Sequence, residues 1–74
     1  MAKYDQVHVG VDLAGQGGNA FAVMASVISG LKSIHVPKDQ IDEFKKEAMS
    51  GDYEHLLNVC SNWVDFETWE SDYG

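Results

Sequence analysis

Residues 15–19, Gly-Gln-Gly-Gly-Asn, join two segments of different hydrophobic period, and this junction constrains the fold more than any other stretch. Before it, Val7, Val9, Val11 and Leu13 alternate with His8, Gly10 and Asp12, the period of a strand with one buried face. After it, Ala20, Met24, Val27, Ile28 and Leu31 recur at helical spacing up to about Ser33, and Asn19 is placed to cap the first turn. A strand must therefore turn into a helix within a few residues. Glycine permits the positive φ of such a turn and lets a ligand or another chain approach the backbone closely. The other side of this helix carries Ala22, Ala25, Ser26, Ser29 and Gly30, small residues against which a neighbour packs closely.

Pro37 suits a first helical turn, where its missing N–H is no loss, and Asp39 is favourable there by the helix dipole. Ile41, Phe44, Ala48 and Met49 form the apolar stripe of this second helix, with Asp42, Glu43, Lys45, Lys46 and Glu47 on its solvated side. Ser50 and Gly51 end it. Asp52 then caps a third helix whose Tyr53, Leu56, Leu57, Cys60 and Val64 share one face. From Trp63 to Glu67 apolar and acidic residues alternate, which predicts a short second strand. The expected fold is a small α+β domain over residues 1–67, β-α-α-α-β, with a two-stranded antiparallel sheet covered by three helices. Residues 68–74 read as a flexible acidic tail. A two-stranded sheet is marginal alone, so a homo-oligomer that extends or covers it is expected.

At 74 residues the chain can bury only a small core, yet 45% hydrophobic content and eight aromatic residues exclude a wholly disordered chain. The single cysteine forms no internal disulfide, and no apolar leader or membrane-length run is present, so a soluble, cytoplasmic protein is expected. The net charge of −7 is uneven: residues 51–74 carry six acids and no lysine or arginine. Such a surface repels phosphate backbones, which argues against direct nucleic-acid binding; it is compatible with a basic protein partner, while solubility alone is the leading reading of the charge.

Gly15, Gly17 and Ala20 fit a dinucleotide fingerprint in spacing, but further helices follow where a βαβ unit requires a strand, so that fold is excluded. A phosphorylated small ligand is still compatible with the backbone of Gly15, Gly17, Gly18 and Asn19, with Lys32 and Lys38 supplying charge if assembly brings them near. The competing reading is a strand-to-helix turn with no ligand. No CxxC and no histidine pair at i, i+4 supports a metal, no cofactor is implied, and no nucleophile, base and orienting group can be placed together. His8 and Asp12 are too far apart along a strand to form a dyad, Cys60 lies on an apolar face, and His35 suits a helix C-terminus. A non-enzymatic protein is expected.

The segments Gly17-Gly18-Asn19-Ala20-Phe21-Ala22-Val23-Met24, Ile41-Asp42-Glu43-Phe44 and Ser50-Gly51-Asp52-Tyr53-Glu54-His55-Leu56-Leu57 resemble a group of very small uncharacterised bacteriophage and prophage proteins. The resemblance covers roughly residues 9–67 and implies an accessory protein, a counter-defence role included, that works by binding in a host cell's cytoplasm. Two forms of binding follow. In the first, the Gly15–Asn19 loop of an oligomer holds a phosphorylated ligand such as a signal nucleotide, or a host protein. In the second, Asp52, Glu54, Asp65, Glu67, Glu70 and Asp72 act as an acidic decoy for a basic nucleic-acid-binding protein.

Overall fold

The computed structural model describes residues 2–14 and 18–71. In order, these form β1 (Tyr4–Asp12), α1 (Ala20–Ser33), α2 (Lys38–Ala48), α3 (Tyr53–Trp63) and β2 (Val64–Trp69). Val7, Val9 and Val11 are buried and the residues between them exposed, as their alternation requires. Asn19 caps α1 by accepting from the Ala22 N–H at 2.8 Å, and Asp52 caps α3 by accepting from the His55 N–H at 2.9 Å. Pro37 stands one position earlier than its sequence suggests: at ψ 149° it is the extended residue that precedes α2.

The two strands are parallel, not antiparallel as expected. The direction of α3 explains this. Its first residue, Tyr53, donates from its hydroxyl to the Gly18 carbonyl beyond the end of β1, while Asn62 near its end accepts from the Lys3 N–H at the start of β1. The last helix thus runs opposite to β1, and β2 follows it without a loop, so the chain turns back alongside β1 in the same sense. Parallel strands need such a long crossover, which the three helices provide. The register sets His8 beside Asp65, Gly10 beside Glu67 and Asp12 beside Trp69, with an irregularity in β1 between Tyr4 and His8.

The helices cover one face of this sheet. Val23, Val27, Leu31, Phe44, Val59, Cys60 and Val64 are fully enclosed between them. A Cβ at Gly30 would lie 2.7 Å from Val7 Cγ1, so glycine is what allows α1 to sit this close to β1. Trp63 meets Phe44 edge-on at 5.6 Å and stacks with Tyr4 at 6.0 Å, and the Lys3 ammonium lies 4.4 Å from a Trp63 ring. The α1 C-terminus closes with His35 at φ 61°, its N–H on the Lys32 carbonyl and the Val36 N–H on the Leu31 carbonyl. This is a Schellman cap in which histidine holds the left-handed position usual for glycine, and the buried pair Leu31 and Val36 completes it.

β2 runs past the expected boundary at Glu67. Thr68 and Trp69 pair with Val11 and Asp12, and the Trp69 ring lies over Gly10. Ser71 is held by Asp12, which accepts from its N–H at 3.2 Å and from its hydroxyl. Residues 72–74 of the expected tail lie outside the described residues.

Candidate functional site

The most exposed apolar surface gathers where the start of α1 meets the end of α2 and the start of α3. Phe21 is 76% exposed, Met49 63% and Tyr53 40%. They rim a pocket of about 240 Å³ whose floor is Ala20, Met24, Ala48 and Leu56, with Gly51 and Asp52 beside Tyr53. That volume exceeds the roughly 150 Å³ of an engineered cavity that accepts benzene, so one aromatic or branched aliphatic side chain fits. Large apolar side chains exposed together around a concavity mark an interaction site more often than isolated ones do.

The geometry of this corner follows from local rules. Phe21 falls outside the buried stripe of Val23, Met24, Val27 and Leu31. Met49, expected in the apolar stripe, follows Ala48 as the C-cap of α2, where the helix no longer directs it inward. Tyr53, expected on the core face, is instead the first residue of α3 and reaches across to the Gly18 carbonyl. Periodicity locates buried faces, and these three residues stand at helix ends or off the stripe.

Of the expected phosphate-site residues, Gly15 and Gly17 lie outside the described residues. Gly18 has a packing reason to be glycine: a Cβ there would lie 2.8 Å from both the Leu13 Cα and carbonyl carbon. Lys32 and Lys38 line a different recess with Val36, Ile41, Asp42 and Lys45. Asn19 and Lys32 bracket nearly all of the 14-residue α1, which separates them by roughly 20 Å within one chain. A single chain therefore does not bring the lysines to the turn.

The acidic residues are also dispersed. Asp52 and Glu54 stand at the start of α3, while Asp65 and Glu67 share the outer, solvent-facing side of β2. Asp65 already has a partner, His8, whose Nδ1 is 2.6 Å from its Oδ2. With both side chains more than half exposed, water screens this pair strongly. Glu70 is exposed, and Asp72 lies outside the described residues.

Two further groups bear on chemistry. Ser50 Oγ and His55 Nε2 are 3.0 Å apart, a spacing that suggests a nucleophile and its base. Nε2 is also 3.0 Å from the Glu47 carbonyl oxygen, which can only accept, so this nitrogen carries the proton and cannot take one from serine. Ser50 donates to the same carbonyl at 2.7 Å. The pair closes the C-terminus of α2. Burial pushes the Cys60 thiol up to about 11, which keeps it protonated and unreactive. Asp12 is held below its ordinary value by the Ser71 hydroxyl first, then by the Ala14 and Ser71 amides.

Among the described residues no group of three or more His, Cys, Asp or Glu is arranged to hold a metal ion, and no helix is long and apolar enough to cross a membrane. Compared with protein-family profiles, characterised proteins and solved structures, the chain matches none.

Proposed function

We propose that this protein is a non-enzymatic binding module that takes a short segment of a partner protein, anchored by one apolar side chain, in the pocket between Phe21, Met49 and Tyr53. The exposure of these three residues around one concavity carries the reading. Together they offer roughly 350 Å² of apolar surface, less than half of the ~800 Å² that each side of a standard stable interface buries. The size suits a peptide-like segment better than a whole domain face. Tyr53 of the rim is held by its hydrogen bond to the Gly18 carbonyl, and Asp52, whose carboxylate caps α3, lines the pocket beside it. The resemblance to small phage and prophage proteins points to a host protein as the partner.

A phosphorylated ligand at the turn is less well supported, because Gly18 is accounted for by its packing on Leu13 and the two lysines stand at the far end of α1. Native mass spectrometry of protein taken from producing cells separates these readings. A co-purifying protein that is retained by the wild type and lost in Met49→Asp supports the pocket. A stoichiometric added mass of nucleotide size that Met49→Asp retains and Gly17→Val loses overturns it.

A further inference from the structure

The sheet has two strands, and the outer edge of β1 has no strand beside it among the described residues. In a regular ladder successive residues direct their N–H and C=O groups alternately to the two sides of the strand. The Leu13 N–H bonds the Trp69 carbonyl at 2.7 Å, which fixes the odd-numbered backbone groups toward β2 and turns those of His8, Gly10 and Asp12 toward the open edge. Among the described residues, no backbone hydrogen bond outside the helices and the β1–β2 ladder involves His8 or Gly10. β1 has neither proline nor lysine over its nine residues, and its irregularity precedes His8, so the stretch from His8 to Asp12 keeps a regular edge.

From this edge we infer that β1 pairs antiparallel with β1 of a second copy, giving a two-fold dimer with a continuous four-stranded sheet in the order β2-β1-β1-β2. The sequence of the two strands selects this edge. A two-fold pairing that keeps the helices of both copies on one side of the sheet must be centred on a residue of the strand. Centred on His8, Val9 or Gly10, such a pairing sets valine against valine on the covered face and no acid opposite an acid. Centred on Asp65, Phe66 or Glu67, the equivalent pairing of β2 always sets carboxylate against carboxylate, which is destabilising. The charge pattern thus disfavours the central registers of a β2–β2 pairing and leaves those of a β1–β1 pairing open. Around Gly30, where α1 packs on Val7 and Val9 of β1, the exposed residues Ser26, Ser29 and Ser33 are small, so two copies of the helix can approach each other above the joined strands. This surface is distinct from the apolar pocket and leaves it free.

Sedimentation equilibrium of the full chain tests the assignment, with His8→Pro and His8→Ala as variants. Proline removes an N–H that the β1–β2 ladder does not use, whereas alanine removes the Asp65 contact and keeps that N–H. The expected result is a wild-type mass twice the 8.2 kDa of one chain, retained in His8→Ala, with a dissociation constant raised roughly 30-fold in His8→Pro, since two-fold symmetry counts each lost bond twice. A wild-type chain that sediments as a monomer at every concentration up to about 1 mM overturns the proposal, and so does a dimer that His8→Pro leaves intact. Should His8→Pro fail to fold, amide exchange of the wild type decides: slowed exchange at His8 and Gly10 supports the pairing, and exchange as fast as in exposed turns refutes it.

Discussion

Replacing Gly18 with alanine tests whether the glycine-rich turn owes its composition to packing. The added Cβ would stand 2.8 Å from the Leu13 Cα and carbonyl carbon, well inside an ordinary carbon–carbon contact of about 3.5–4.0 Å. Backbone blocks it, so no rotamer change relieves the overlap and the turn must open. Overpacking of this kind costs about 1–3 kcal/mol. Opening the turn also carries Gly18 away from the Tyr53 hydroxyl, and the loss of that hydrogen bond adds about 0.5–1.5 kcal/mol. The sum of roughly 1.5–4.5 kcal/mol is a large share of the ~4–11 kcal/mol expected for a domain of this size. Urea unfolding followed by tryptophan fluorescence reads it, because Trp63 is buried in the core. Asn19→Ala in the same turn, which removes the cap, is expected to cost about 1 kcal/mol. A Gly18→Ala protein within about 0.5 kcal/mol of wild type would refute the packing account and return weight to a ligand at the bare backbone.

Met49→Asp and Phe21→Ser are expected to leave stability within about 0.5 kcal/mol of wild type by the same urea assay, since both side chains are mostly exposed. His35→Gly is expected to stabilise by about 1 kcal/mol, seen as a higher urea midpoint, because glycine takes φ 61° without the strain a side chain suffers there. The native Cys60 thiol is expected to resist alkylation at pH 8 and to react once urea unfolds the chain, because burial keeps it protonated; rapid native labelling would contradict this. Asp12 has its pKa lowered by folding, so its contribution is present above its unfolded value and is lost as pH falls through the folded one. The stability gap between wild type and Asp12→Asn should accordingly shrink from pH 6 to pH 3.

Much of the architecture is legible in the chain because burial and capping act locally. Val7, Val9 and Val11 declare the inner face of β1, and Asn19 and Asp52 each stand where a free helical N–H needs an acceptor. Strand direction is not local. It depends on where three helices carry the chain, and the contacts that fix it, Tyr53 with Gly18 and Asn62 with Lys3, join residues far apart in sequence. The extension of β2 through Trp69 was hidden for a related reason: Thr68, Trp69 and Ser71 look like tail until Val11 and Asp12 are placed beside them. The pocket escaped a reading by period because Met49 and Tyr53 sit at helix ends, where apolar residues are no longer aimed at the core. A signal was present in Phe21, a large apolar residue that falls off the buried stripe of α1 and is mostly exposed.

Site-specific photocrosslinking from position 21 in producing cells, with position 39 on the solvated side of α2 as control, tests whether the pocket beside Phe21 holds a protein partner. A photoreactive phenylalanine analogue at position 21 should join the chain to one host protein in high yield, with no such product from position 39 and none when Met49→Asp is combined with the probe. The same weak, diffuse adducts from both positions would contradict the account, leaving the exposed apolar corner without a protein partner.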